Sequence, residues 1–139
     1  MPDTQAPHWK ENGVRIVKAG QLDTNTTQTP GMTRAAAITH QSAGANKLWA
    51  GTMLVEPGHE SSAHHHGEME TILYVTRGRM LLLWGDQLEF SVEAGPGDFL
   101  FVPPHVPHRE INPSTDEPAE AIVVRDGQEP IVVGVNIKG

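Results

Sequence analysis

The stretch GHESSAHHHGEMETILYVTRG, residues 58–78, decides how this chain is read. Three consecutive histidines, His64, His65 and His66, stand between Gly58 and Gly67, and the β-rich run Thr71–Thr76 follows. In an extended strand alternate side chains leave the same face about 6.6 Å apart, so His64 and His66 can lean onto one cation while His65 points away. Glu70 comes four residues after His66. Farther on, His108 opens another apolar segment directly after Pro107, whose fixed φ limits how the imidazole is presented. Imidazole nitrogens joined by one carboxylate suit Zn, Fe, Ni, Mn or Cu, and a single ion with unfilled positions is the usual catalytic form. The competing reading is a histidine-rich loop that holds no ion.

Outward from this stretch, 14 glycines and 11 prolines punctuate short runs rich in β-branched and apolar residues. That rhythm predicts an all-β sandwich or barrel. The predicted strands are Val14–Ala19, Leu48–Val55, Thr71–Thr76, Met80–Trp84, Leu88–Val92, Phe99–Val102, His108–Asn112, Ala121–Arg125 and Ile131–Val135. Tight turns fall at Arg77-Gly78-Arg79 and Gly85-Asp86, with a wider corner over residues 94–98. No stretch of a dozen residues carries a helical stripe, although Ala35–Ala37 leaves room for a short helix. Residues 1–12 are polar and proline-bearing and read as an arm, leaving residues 13–139 as one domain.

The histidine spacing resembles the two motifs of the cupin superfamily. The first runs Gly58, five residues, His64-His65-His66, three residues, Glu70, and closes on Gly78. The second runs Gly97, Pro103, His105 in the place of a glycine, His108 and Asn112. The motifs span residues 58–78 and 97–112, separated by the 18 residues of a hairpin. The resemblance is to the small single-domain, metal-binding members. It implies a small double-stranded β-helix, or jelly-roll barrel, holding one divalent transition metal per chain through His64, His66, Glu70 and His108. It also implies a homodimer, with Val14–Ala19 a candidate for crossing between protomers.

Two departures stand out. Seven residues, not six, separate Glu70 from Gly78, so counting back from Gly78 puts Thr71 where the family has its glutamate. Either the strand over Thr71–Thr76 carries a one-residue bulge and Glu70 ligates, or three histidines hold the ion alone; Glu68 is a further rival beyond the flexible Gly67. His105 lies in the Pro103–Pro107 loop, as an acid/base candidate at the pocket mouth or as a plain loop residue. Glu110 and Asn112 share parity with His108, which places them around the ion or facing water. Tyr74, Phe99, Phe101, Leu81, Leu83 and Trp49 are candidates to line the pocket, Tyr74 foremost because of its hydroxyl. Tyr74 and His105 are thus the catalytic candidates.

Composition excludes several functions. With no cysteine, disulfides, thiolate metal sites and cysteine nucleophiles are absent. Ten basic against 17 acidic residues give a net charge of −7, and the basic residues do not cluster, which argues against nucleic acid and anionic membranes as partners. The start lacks the basic and apolar regions of a signal peptide, so a cytoplasmic location is expected. The expected function is a metal-dependent enzyme acting on a small polar organic molecule, with dioxygenase-type oxidoreductase chemistry ahead of isomerase, decarboxylase or hydrolase chemistry. A non-catalytic ligand-binding module is the alternative.

Overall fold

Strict alternation of buried and half-buried residues marks the central strand β2, Trp49–Val55, in which Trp49, Gly51, Met53 and Val55 face inward. The same period-two pattern recurs around it, and the computed structural model, which describes residues 9–26, 29–128 and 132–136, is built from it. Ten strands are described: β1 Met32–Ile38, β2, β3 His64–His65, β4 Thr71–Arg77, β5 Met80–Trp84, β6 Phe90–Ala94, β7 Phe99–Val102, β8 His108–Ile111, β9 Ala119–Arg125 and β10 Val133–Gly134. They form two antiparallel five-stranded sheets, ordered β1-β2-β9-β4-β7 and β10-β3-β8-β5-β6. Three short helical turns accompany them, the α-helical α1 Trp9–Asn12 and α2 His40–Ala43 and a 3-10 turn over Ala19–Gln21. Among the described residues no helix is long and apolar enough to cross a membrane.

Strand register divides the interior into a filled end and an open end. In the first sheet Val55 faces Ala119, and Met53, Ala121 and Val75 lie side by side. With Met80, Leu82, Ala94 and Val102 they form the aliphatic core. Two residues farther along come Gly51, Val123 and Leu73, and then Trp49, Arg125 and Thr71. These rows line a cavity of about 650 Å³ between the sheets. The sequence alternation therefore sets which strand ends build a core and which build a pocket.

Several predicted elements shift. Residues 14–18 form no strand, and Val14 and Ile16 are exposed. Ala35–Ala37 belongs to β1, because so short an alanine run cannot nucleate a helix while β2 offers a full ladder. The sixth strand begins at Phe90 rather than Leu88, because Leu88 adopts a left-handed φ of 53° and its N–H closes a turn onto Gly85. Residues 9–12 of the predicted arm make one exposed helical turn, and residues 1–8 lie outside the described residues, as does Ile131 of the last predicted strand.

Candidate metal centre

β3 and β8 pair His64 directly with His108, and β8's alternation turns Glu110 to the same side. His66 follows just beyond β3. One ligand atom from each of His64, His66, His108 and Glu110 lies within 4.8 Å of the others. The rings are close: centroids are 4.4 Å apart for His64–His108, 4.8 Å for His64–His66 and 5.1 Å for His66–His108. His64, His108 and Glu110 are buried, and all four line the cavity.

Local hydrogen bonds orient the donors. His64 Nδ1 meets the Ser62 carbonyl at 2.7 Å, and His108 Nδ1 meets the Val106 carbonyl at 2.9 Å. An Nδ1–H donated to a carbonyl leaves the Nε2 lone pair available. Both Nε2 atoms face the Glu110 carboxylate at 3.7 Å, too long for a hydrogen bond. Glu110 Oε2 is buried without a hydrogen-bond partner. Ser61 fixes the backbone beneath it, its hydroxyl accepting from Glu110 N at 3.0 Å and its own N–H donating to Glu110 O at 2.8 Å.

The electrostatics are those of a compact charged cluster. Burial would raise the Glu110 carboxyl, but His108, His64 and His66 outweigh it and hold the group at about 2. Burial pushes His64 below its ordinary value despite Glu110. At His108 burial acts in the same direction, yet the adjacent Glu110 carboxylate prevails and raises it.

An uncompensated buried carboxylate oxygen beside two oriented imidazole lone pairs is the arrangement a divalent cation satisfies. The residues present therefore fit a single metal ion. Three nitrogens and one oxygen form a donor set common to first-row transition metals.

Of the four expected ligands the structure brings His64, His66 and His108 together, and the carboxylate among them is Glu110 rather than Glu70. Glu70 is exposed, and its backbone N–H donates to the Asp126 carboxylate at the entrance to β4. The ladder from Thr71 to Val75 is regular, and Thr71, Leu73 and Val75 face inward, so Glu70 falls on the outer side. A bulge does occur, between Val75 and Arg77, which accounts for the extra residue before Gly78 but lies too late to turn Glu70 inward. Thr71 takes the inward position, its Oγ1 buried without a hydrogen-bond partner. Glu68 is exposed as well. The carboxylate thus comes from β8, two residues after His108, a position its parity already pointed to.

Neither catalytic candidate reaches the cavity. Tyr74 has the opposite parity to Leu73 and packs on Phe99 outside the barrel, with ring centroids 4.5 Å apart. Phe99 and Phe101 are exposed on that same outer face, and Leu81 and Leu83 alternate away from Met80 and Leu82. His105 is exposed at a left-handed φ of 64°, beside His65, with its N–H donating to Gly67 O. Of the predicted lining residues only Trp49 lines the cavity. Arg34, Arg125 and Thr71 were not singled out as lining; their inward parity on β1, β9 and β4 was the available signal.

The two sheets and the cluster between them define a double-stranded β-helix with a histidine–carboxylate site. The chain belongs to the cupin family: the Cupin domain model matches residues 51–125. No curated protein sequence matches it. Among solved structures it is similar to the polyketide cyclase RemF from Streptomyces resistomycificus, with 24% identity over 90% of this chain and 87% of that one and a TM-score of 0.74. It is also similar to KdgF from Halomonas sp., with 19% identity over 84% and 96% of the two chains and a TM-score of 0.67. A recombinant oxalate oxidase in complex with glycolate gives 20% identity over 81% of this chain and 59% of that one, with a TM-score of 0.66. At these identities the likeness is one of fold.

Proposed function

We propose that this cupin is a metal-dependent enzyme acting on a small polar organic molecule, with His64, His66, His108 and Glu110 holding one divalent transition metal. The observation that carries this reading is the buried, unpartnered Glu110 Oε2 set among three imidazoles at the wall of a cavity of about 650 Å³. A purely structural metal site is closed by its protein ligands, whereas this one faces room for a guest.

When bound, a redox-active ion in this donor set supplies electron transfer to O2 and polarises a coordinated oxygen of the substrate. Dioxygenase-type oxidoreductase chemistry is the favoured form, ahead of isomerisation, decarboxylation or hydrolysis. The chain itself does the positioning. Ser62 and Val106 fix the His64 and His108 rings, Ser61 fixes the Glu110 backbone, and Leu73, Val102 and Val123 give the cavity an apolar wall.

The same reading takes residues 13–139 as the domain, a homodimer as the assembly, the cytoplasm as the location, and neither nucleic acid nor membrane as a partner. The net charge of −7 supports the last point. Exposed Ile72, Phe99 and Phe101 on the outer face of the first sheet support the homodimer.

The test is metal analysis of protein produced without a histidine tag, followed by O2-uptake screening of small polar organic compounds. One metal per chain with substrate-dependent O2 consumption is the expected result. Sub-stoichiometric metal would make the protein a ligand-binding module instead. A full metal complement with turnover but no O2 consumption would move the assignment to the redox-neutral chemistries.

A further inference from the structure

The cavity has a second polar pole, built on the sheet that faces the histidine cluster. Arg125 of β9 and Arg34 of β1 both line it. The Arg125 guanidinium carbon sits over the Trp49 ring, 3.9 Å from its centroid, and its Nε donates to Gly127 O at 3.4 Å. Register puts Arg125 between Trp49 and Thr71, so the arrangement follows from β2, β9 and β4 pairing.

Among the described residues no carboxylate pairs with Arg125. The cavity's own carboxylates are engaged elsewhere, Glu110 with the histidines and Asp23 as acceptor from Asn25 N–H at 2.9 Å. A half-buried cation without a partner is costly. Burial, with Arg34 as a nearby like charge, brings the Arg125 proton affinity down to about 10, so an anion here would relieve both effects. With Cζ over the indole and Nε donating to Gly127 O, the two terminal nitrogens are left to take a carboxylate, for which guanidinium has a matching planar fork. The lining of the same cavity includes the apolar Met53, Leu73, Val102 and Val123.

We propose that Arg125, backed by Trp49 and beside Arg34, is an anion subsite, and that the substrate is a small organic carboxylate whose acid group binds there while its far end meets His64, His66, His108 and Glu110. The substrate part of this inference rests on the proposed function; the anion subsite does not. It follows that the carboxylate serves as the handle and that the reacting group lies at the other end of the molecule.

The probe is benzoate against its neutral isostere benzamide, titrated calorimetrically into the full metal-free chain at neutral pH. Without metal, chelation cannot mimic the effect. Benzoate should bind at least about tenfold more tightly than benzamide, the discrimination a charged bidentate partner supplies. Arg125→Gln should abolish the preference, and Arg125→Lys, which keeps the charge but loses the planar fork, should retain part of it. His108→Ala should keep the preference while losing metal, which separates this inference from the metal reading. If the unaltered chain binds both compounds equally or neither, or if Arg125→Gln leaves benzoate binding undiminished, the subsite is overturned even where metal loads fully. The comparison of the two compounds on the unaltered chain decides the matter should Arg125→Gln fail to fold.

Discussion

Glu110 concentrates the chemistry of the site, because its carboxylate is the one buried acid that three imidazoles share. Glu110→Gln should weaken metal binding on the order of a hundredfold, while Glu70→Gln, altering an exposed side chain, should leave it unchanged; competition with a chelator of known affinity reads both. His64→Ala and His108→Ala should each abolish loading, and His65→Ala should not, since the His65 Nδ1 accepts from Gly67 N–H outside the cluster. Acid gives an independent check. The Glu110 carboxyl sits at about 2 in the folded chain against an ordinary 4.5, so between those values the unfolded chain binds more protons. The stability Glu110 contributes to the metal-free protein is therefore full above about pH 4.5 and lost as pH falls towards 2. Denaturant titrations should show the gap between the unaltered chain and Glu110→Gln closing over that window. The lowered His64 and raised His108 give stability slopes of opposite sign nearer neutrality. At this scale three of the four clustered side chains were legible in the sequence. The fourth was obscured because spacing along a strand does not show where a bulge falls, and the bulge after Val75 changes the count without changing Glu70's face.

Among the elements, β8 is the most constrained, held at both ends. His108 pairs with His64 at its start, and Asn112 just past its end is almost fully buried. Asn112 Nδ2 donates to Val55 O at 3.0 Å and to Glu117 O at 2.8 Å, and its Oδ1 accepts from Ser114 N at 3.0 Å. Asn112→Ala strands two carbonyls and one N–H, and should cost about 2–3 kcal/mol in urea unfolding without changing metal stoichiometry. The β4–β5 hairpin has a comparable pin in Gly78, at φ +71°, where a Cβ would stand 2.3 Å from Pro118 O. Because neither that φ nor that backbone contact yields easily, Gly78→Ala should destabilise the chain by more than about 1 kcal/mol. Both residues belong to the motif pattern, and here their work is architectural. Met80–Trp84 and Phe99–Val102 were legible to the residue, because apolar runs between turn residues leave little freedom. β1 was not, because its alanines carry neither β-branched bulk nor a clear alternation, and only pairing with β2 makes it a strand.

For the whole molecule, the barrel's filled end, open end and outer face have different uses. Phe99 and Phe101 on the edge strand β7, with Ile72 on β4, leave a contiguous apolar face on the outside of the first sheet. If a second copy covers it, Phe101→Glu should convert a dimer to a monomer in sedimentation velocity; an unaltered chain that sediments as a monomer at all concentrations would exclude the homodimer. The sequence made the barrel legible through strand rhythm and paired histidines. It concealed most of the pocket wall, because Tyr74, Phe99 and Phe101, candidates to line it, lie on outward parity. Whether one metal ion is held in this barrel's cavity is tested most directly by anomalous diffraction at the metal edge from crystals of the untagged protein. One peak is predicted, bonded to nitrogens of His64, His66 and His108 and to a carboxylate oxygen of Glu110. No peak there, or a peak bonded to Glu70 and not to Glu110, would contradict it.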